Sequence, residues 1–220
     1  MKSVLKTIKI IFLTAMITMI IVAAIRVLLF ASFVIPTSSM APTLMPGDFI
    51  LVNKLVPGPR MDWPFDRMLK GADDRRLKGY RSIKQRDVLV FNAPYYNSEE
   101  LKMNMDLYYV KRCVGIPGDS VGPIYIPGKG YEVLLDSINI HHYKKLVEYE
   151  TGRKAVETER YVFRQNYYYV VGDNPGRSKD SRHWGLVPEE HIVGRAVCVW
   201  KSVNPEIKKF RWNRFFKMID

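Results

Sequence analysis

The chain opens with one long apolar run. Residues Ile10–Ile25 contain no charged side chain, and the apolar character resumes after Arg26. A helix needs roughly 20 apolar residues to cross a bilayer, and Ile8–Leu28 provides that length. The long side chain of Arg26, near the outer end of the run, is able to reach the lipid headgroups. The pattern therefore predicts a transmembrane anchor at residues 10–29, preceded by a short N-terminal segment at residues 1–9.

The charges on either side of this run predict its orientation. Lys2, Lys6 and Lys9 precede it, whereas neither Lys nor Arg occurs between Val27 and Leu51. By the positive-inside rule, the N-terminus lies in the cytoplasm and the remainder of the chain lies on the outer face of the plasma membrane. No second apolar run of spanning length follows, so we expect a single-pass protein. The sequence does not distinguish a periplasm from the cell exterior.

A cleavable signal peptide also has a basic start and an apolar middle. Its apolar region is usually shorter than this run, and its cleavage site needs small residues two positions apart. In this chain Ala31 would be paired with Leu29, which is a poor partner. The sequence therefore favours an uncleaved anchor.

Beyond the anchor, residues 30–220 contain short apolar runs separated by Pro, Gly, Asn and Asp. Turn signals of this kind, with β-branched and aromatic residues between them, are typical of strands. They predict a mainly β extracytoplasmic domain rather than alternating βαβ units. The clearest predicted strands are Phe49–Val52, Asp87–Phe91, Tyr108–Val114, Tyr167–Val171 and Arg195–Trp200.

Two stretches interrupt the strand pattern. Val56–Arg81 is irregular and charged, which predicts an excursion over the surface. Ser137–Glu159 is polar with scattered apolar residues, and Ile140–Tyr149 is expected to form a short helix. We expect a region of about 122–168 to form a small cap or insertion on the β domain.

Composition adds little to this picture. The formal net charge is +12 over 220 residues, but the positive charge is spread along the chain, which argues against a nucleic-acid-binding arm. The C-terminal segment Lys208–Lys217 mixes basic and aromatic residues. It either lies on the membrane surface or covers the β core, and both interpretations stand. Cys113 and Cys198 are too few for a disulfide framework, and two buried free thiols are favoured over a disulfide.

A candidate nucleophile, Ser39, lies directly after the anchor in the stretch Pro36–Leu44. A nucleophilic serine needs a base that removes its proton. Histidine is the usual base, but no histidine here has a recognisable Ser–His–Asp context. The histidine spacing also matches no HExxH or paired CxxC zinc motif, so we expect no metal site. The four histidines are His141, His142, His183 and His191.

Lysine is the other possible base, provided that its pKa falls well below about 10.4. Burial against apolar groups has this effect because it penalises the ammonium form. If Tyr108–Val114 is a strand, Tyr109, Lys111 and Cys113 point to one face, and Lys111 projects between two largely apolar neighbours. On an edge strand the same lysine would face solvent, and the spacing alone does not decide between the two.

Four segments, taken in order, strengthen this candidate pair. They are Phe33–Leu44 with Gly47-Asp48, then Arg86–Phe91, then Tyr109–Asp119, and finally Gly172–Ala196. Together they resemble the boxes of the type I signal peptidases, the bacterial leader peptidase family of the Ser–Lys class. Two departures from the family pattern are Arg86, where the family usually has Gly, and Pro175-Gly176-Arg177 after Gly-Asp-Asn.

The resemblance implies a signal-peptidase-type antiparallel β domain. It also implies a membrane-bound serine endopeptidase that removes N-terminal signal peptides from exported preproteins. Ser39 would be the nucleophile and Lys111 the general base. Ser178 is expected to hydrogen-bond the lysine, and Thr37 to form an oxyanion hole with the Ser39 N–H.

The resemblance further implies that Asp180 and Arg182 form an ion pair supporting the site. It implies no metal or organic cofactor, preprotein substrates and contact with membrane lipids; we expect no nucleic-acid partner, and the oligomeric state is unknown. Two alternatives stand beside this one. The first is a specialised maturation peptidase of the same class. The second is a non-catalytic, membrane-tethered basic binding domain, in which Ser39 and Lys111 would be dispensable.

Overall fold

The computed structural model describes residues 2–60, 76–95 and 101–220. Its first element is the long helix α1 (Lys2–Leu28). Within the span Lys6–Ile25, a stretch of 18 residues has a mean hydropathy of 2.6, so the helix is able to cross a membrane by length and composition. The predicted apolar helix is confirmed, whereas the division into residues 1–9, 10–29 and 30–220 stays a prediction.

The rest of the described chain is mainly antiparallel β-sheet, as predicted. The main sheet has the strand order β1-β2-β11-β3-β4-β9-β10, and β12 pairs with β11. Each of the five predicted strands overlaps an observed strand. The strands are β1 Phe30–Val34, β2 Asp48–Asn53, β3 Val88–Tyr95, β4 Leu101–Gly115, β5 Ser120–Val121, β6 Ile124–Tyr125, β7 Glu132–Leu134, β8 Arg160–Val162, β9 Tyr167–Val171, β10 Val187–Pro188, β11 Ile192–Ser202 and β12 Lys217–Met218.

The sheet leaves two backbone edges open on either side of one cleft. Among the described strands, β1 pairs only with β2. The partner of β4 on its second side, β9, pairs only from Arg112 onward, so the earlier part of β4 pairs with β3 alone. The rings of Phe33 in β1 and Tyr108 in β4 lie 4.9 Å apart, which brings the two open edges close together.

The region around 122–168 contains small elements that pack on an apolar cluster shared with the main sheet, since Leu101 of β4 and Tyr169 of β9 belong to it. Strands β5 and β6 form one hairpin, and β7 pairs with β8. The predicted helix is confirmed as α2 (Ile140–Thr151), which ends at Gly152 in the left-handed conformation favoured at helix ends. Tyr143 and Leu146 of α2 are buried in this cluster with Phe163. The assignment of the region as a separate cap stays a prediction.

The main sheet has an apolar core built by strand alternation. In β2, alternate residues are buried, among them Ile50 and Val52 at 0% exposure. Cys113 and Cys198 are both buried and both free, which confirms the prediction of two free thiols. The predicted surface excursion Val56–Arg81 falls mostly outside the described residues.

The aromatic side chains of the C-terminal segment differ in exposure, so neither of the two interpretations that the sequence left open applies to all of them. Phe210 is half-buried, in ring contact with Trp212 and Phe215. Trp212 and Phe216 are 76% and 61% exposed. Core covering therefore does not account for these two side chains.

Candidate active site

Ser39 lies in a tightly held connection between β1 and β2. Backbone hydrogen bonds join the two ends of this connection. Ile35 N–H donates to the Asp48 carbonyl and Gly47 N–H donates to the Ile35 carbonyl, both at 2.8 Å. Met40 is buried at 1% exposure inside the connection. The apolar positions of the sequence thus pin the segment, and Ser39 itself is 9% exposed.

Asp48 fixes the far end of this connection. Its carboxylate accepts hydrogen bonds from Met45 N–H at 2.7 Å and from the Ser202 hydroxyl at 2.7 Å, and it pairs with the Arg214 guanidinium. Although burial opposes its ionisation, the Arg214, Met45 and Ser202 donors keep the pKa of Asp48 below its usual value. A charged, fully bonded carboxylate therefore anchors the segment that carries Ser39.

Asn174 clamps the nucleophile segment from the other side. Its backbone N–H donates to the Ser39 carbonyl at 3.0 Å, and its side-chain amide donates to the Ser38 carbonyl at 3.1 Å. These two bonds orient the peptide groups on either side of the candidate nucleophile. Asn174 lies in the motif Gly172-Asp173-Asn174 at the start of the fourth sequence segment, which predicted no role for it.

Lys111 projects from β4 into the site. Its side chain is 4% exposed, and Nζ donates a hydrogen bond to Ser39 Oγ at 2.8 Å. Nζ also lies 5.7 Å from the centre of the Tyr109 ring. Of the two arrangements that the strand spacing left open, the structure shows the enclosed lysine, and the solvent-facing alternative is wrong.

The environment of Lys111 makes its amine a usable base. Burial lowers the pKa of Lys111 to about 8, against the opposing effect of the Asp180 and Asp173 carboxylates. A substantial fraction of the side chain is therefore neutral slightly above neutral pH, which a general base requires.

Asp180 is the centre of the polar network beside the lysine. Its carboxylate accepts from Arg182 Nε at 2.8 Å, from Gly172 N–H at 2.9 Å and from the Ser178 hydroxyl at 2.7 Å. Although burial opposes ionisation, these donors keep the pKa of Asp180 well below its usual value. The Asp180–Arg182 ion pair that the sequence predicts is present, and Asp180 also caps the short helix α3 (Ser181–Trp184).

The structure places Ser178 and Thr37 near the pair without fixing their roles. The Ser178 hydroxyl donates to Asp180, whereas Lys111 Nζ donates to Ser39, and no hydrogen bond joins Ser178 to Lys111 among the described residues. Thr37 is exposed and lines the same cleft as Ser39. The lysine-holding role of Ser178 and the oxyanion role of Thr37 stay predictions.

Gly172 is required by close packing at this point. A Cβ atom added to it would lie 2.2 Å from Ser178 Oγ and 2.6 Å from the Ser39 carbonyl oxygen. Gly172 has no positive φ, so the constraint is one of space. Only a residue without a side chain lets Ser178 approach the nucleophile segment this closely.

A second ion pair lies on the opposite face of β4. Arg112 donates to the Asp173 carboxylate from Nε at 2.8 Å and from Nη2 at 2.7 Å, and its Nη1 donates to the Arg86 carbonyl. Arg86 has a φ of 72°, in the left-handed region that favours glycine. Arg86 therefore has a backbone conformation that glycine adopts more readily than arginine.

Ser39 and Lys111 open onto a cleft of about 340 Å³ between β1 and β4. Its walls are largely apolar side chains from the two open strand edges. None of the four histidines lines it, and the described residues contain no group of three His, Cys, Asp or Glu side chains arranged to hold a metal ion. A hydroxyl and a poorly solvated amine in contact, beside two open strand edges, form an arrangement suited to attack on an extended peptide.

Comparison with known proteins agrees with the family resemblance seen in the sequence motifs. The chain matches the model of the family described as signal peptidase, peptidase S26, over residues 6–201. It is 34% identical to signal peptidase I of Pseudomonas aeruginosa, with 83% of this chain and 68% of the relative covered. It is 31% identical to the probable signal peptidase I-2 of Synechocystis, with 84% and 70% covered. It is 28% identical to signal peptidase I of Haemophilus influenzae, with 90% and 72% covered.

Proposed function

The chain belongs to the signal peptidase, peptidase S26 family, and from this premise we propose that it is a signal peptidase I that uses Ser39 as nucleophile and Lys111 as general base. The observation that carries the proposal is the 2.8 Å contact between Lys111 Nζ and Ser39 Oγ. A buried lysine next to a hydroxyl has one evident chemical use, which is to accept the hydroxyl proton.

The first half of the reaction begins with neutral Lys111. Nζ takes the proton of Ser39 Oγ as that oxygen attacks the carbonyl carbon of the scissile peptide bond. The tetrahedral intermediate collapses to an acyl-enzyme, and the protonated lysine returns its proton to the leaving amine. The mature protein leaves at this step, and the signal peptide remains esterified to Ser39.

The second half of the reaction regenerates the enzyme. A water molecule gives a proton to neutral Lys111 and attacks the ester carbonyl, which releases the signal peptide and restores the Ser39 hydroxyl. In both halves the negative oxygen of the intermediate is bound by the Ser39 N–H and the Thr37 hydroxyl. Donors of this kind are typically worth about 3–4 kcal/mol in the transition state.

The supporting residues keep this geometry in place. Asn174 orients the Ser38 and Ser39 peptide groups through its two hydrogen bonds. Ser178 positions the lysine, and its own hydroxyl is oriented by Asp180. The Arg182 guanidinium keeps that carboxylate ionised, so the network around the base is fully bonded.

The cleft suits an extended segment of the preprotein. The open edges of β1 and β4 offer backbone groups on both sides, so the substrate binds as an added strand. The apolar walls near Phe33 and Tyr108 leave room for small apolar side chains before the scissile bond. The resemblance to the type I signal peptidases implies preproteins with small residues at the first and third positions before the cut, and the apolar cleft walls are compatible with such side chains.

The anchor places this site at the bilayer surface. Helix α1 crosses the plasma membrane with its N-terminus in the cytoplasm, and the catalytic domain lies on the outer face. The exposed Trp212 and Phe216, with the basic residues around them, contact the lipid surface. No metal, organic cofactor or nucleic acid takes part in this scheme.

A non-catalytic, membrane-tethered basic domain is not favoured. It gives no reason for an enclosed lysine in contact with a serine, and burial of an amine without such a use is costly. The specialised maturation peptidase has no observation of its own in its support.

The proposal is tested by cleavage of a preprotein with an Ala-x-Ala site. The detergent-solubilised full chain is compared with Ser39→Ala and Lys111→Ala, and with Ser38→Ala as the matched control at the neighbouring position. We expect wild type and Ser38→Ala to release the mature protein and the other two variants to be inactive. Full activity of Lys111→Ala would show that the base has been assigned wrongly. Inactivity of the wild type towards several preproteins would reject the function.

A further inference from the structure

The catalytic cleft has two distinct ends. Phe33 and Tyr108 are in ring contact at one end, and Ser39 and Lys111 are in contact further along the same two segments. The two segments therefore run in the same direction past the cleft. The loop after β9 closes the second end, since Asn174 donates its backbone N–H to the Ser39 carbonyl.

The two ends differ in chemistry. The first end is lined by apolar and aromatic side chains, whereas the loop that closes the second end contributes two basic ones. Apart from Lys111 and the tyrosines, these basic residues are the ionisable side chains on the cleft wall among the described residues. The first group comprises Phe33, Leu107, Tyr108 and Val110, and the second comprises Arg177 and Lys179.

The charges of Arg177 and Lys179 are not neutralised within the described chain. Both side chains are exposed, and neither takes part in an ion pair among the residues that the structure describes. The two carboxylates of the same loop, Asp173 and Asp180, are each held by another arginine. The second end of the cleft therefore presents a net positive charge to any chain that passes over it.

The direction of the substrate follows from the anchor. Helix α1 ends at Leu28 and β1 begins at Phe30, so the apolar end of the cleft is the one nearer to the membrane. A signal peptide held in the bilayer enters from that end. The residues after the scissile bond, which start the mature protein, then leave past Ser39 over the basic end.

We infer that Arg177 and Lys179 bind acidic side chains within the first few residues of the mature protein and so select among preproteins. This inference rests on the proposed function. Exposed pairs of opposite charge are individually weak, so we expect a preference of roughly three- to tenfold in kcat/KM rather than an absolute requirement. The preference should shrink as salt is added, because salt screens exposed charges.

The test uses three versions of one preprotein with the same Ala-x-Ala site. They carry Glu-Glu, Gln-Gln or Lys-Lys at the second and third positions of the mature part. The full chain in a non-ionic detergent is assayed at low salt, and the readout is the ratio of kcat/KM between versions. We expect the order Glu-Glu, then Gln-Gln, then Lys-Lys for the wild type, and ratios near one for Arg177→Gln/Lys179→Gln.

The matched control is Lys129→Gln/Lys154→Gln, which removes the same charge from two exposed residues outside the cleft. It should keep the wild-type ratios, because a general change in net charge is not the cause. Equal cleavage of all three versions by the wild type would overturn the inference while leaving the proposed function intact. Unchanged ratios in Arg177→Gln/Lys179→Gln would overturn it as well. If the wild type cuts none of the versions, the proposed function fails and the inference fails with it.

Discussion

Lys111 accepts a proton only when its amine is neutral, so the proposed mechanism makes activity depend on pH. Burial lowers the pKa of Lys111 to about 8. Below that pH the lysine is protonated, and kcat/KM should fall roughly tenfold per pH unit, whereas above it the rate should level off. A pH–rate profile of the wild type between pH 6 and 9.5 measures this.

Lys111→Arg is the control for that profile. Arginine stays protonated at every accessible pH, so this variant should be inactive throughout the range rather than shifted along it. A wild-type rate that is flat between pH 6 and 8 would contradict a lysine base with this pKa.

A second residue-scale prediction concerns Arg86. Its φ of 72° costs an L-residue about 1–2 kcal/mol relative to glycine, and part of that gain is offset by the larger unfolded-state entropy of glycine. Arg86→Gly should therefore raise the free energy of unfolding by roughly 0.5–1 kcal/mol. Thermal unfolding of the wild type and the variant in the same detergent should show a slightly higher Tm for the variant.

The neighbouring Gln85 provides a control of opposite sign. Its φ is not positive, so Gln85→Gly should lower the stability, because it adds unfolded-state entropy without relieving strain and removes the hydrogen bond from Gln85 Nε2 to Asp119. A lower Tm for Arg86→Gly would show that the left-handed conformation is not strained in this chain. Activity should be kept, because the Arg86 side chain is exposed and the backbone carbonyl that Arg112 binds is still present.

At the scale of elements, the loop after β9 meets the nucleophile segment at one point, Gly172. Gly172→Ala would place a methyl group 2.2 Å from Ser178 Oγ and 2.6 Å from the Ser39 carbonyl oxygen. The loop must then move away from Ser39. A displacement of about 1 Å is able to lower the rate on the order of 100-fold. We therefore expect a large fall in kcat and only a small change in KM.

Gly176→Ala is the matched control in the same loop. A Cβ atom at Gly176 meets nothing within 4 Å, so the variant should keep wild-type kinetics. Comparable kcat values for Gly172→Ala and Gly176→Ala would show that the close approach is unnecessary for catalysis.

The sequence was sufficient to predict five of the strands, but not β1 or the way in which the strands pair. β-Branched and aromatic runs marked β2, β9 and β11, since those residues favour strands locally. The pairing of β11 with both β2 and β3 includes register shifts. Such irregularities depend on contacts distant in sequence, which no local pattern encodes. The open edges of β1 and β4 were therefore beyond prediction, although they define the cleft.

The same distinction applies to the site. Ser39 and Lys111 were identifiable as the candidate pair because their side chains have the chemistry that the proposed reaction needs and lie in recognisable boxes. Asn174 was missed because it donates to the backbone carbonyls of Ser38 and Ser39. Every residue has a backbone carbonyl, so the sequence does not show which carbonyls accept such bonds. The role of Gly172 depends equally on a contact with distant atoms.

At the scale of the whole molecule, we expect the anchor and the C-terminal segment together to determine how the catalytic domain meets the bilayer. Helix α1 joins the domain at one point, directly before β1. Trp212 and Phe216 are exposed; the amphipathic ring of Trp favours the membrane interface, and an exposed Phe is able to insert at the headgroup boundary. A second contact at this segment would keep the cleft facing the membrane surface.

This reasoning predicts a substrate-dependent defect for Trp212→Ser/Phe216→Ser. With the enzyme in vesicles that contain anionic lipids, cleavage of a membrane-embedded preprotein should slow severalfold, because the cleft spends less time at the surface. Cleavage of a short water-soluble peptide by the same vesicles should stay at the wild-type rate, since that substrate reaches any orientation of the domain. The control Ile138→Ser/Val156→Ser removes two exposed apolar side chains elsewhere and should leave both rates unchanged. Equal slowing of both substrates would instead indicate damage to the fold, and two unchanged rates would remove the C-terminal segment from the membrane contact.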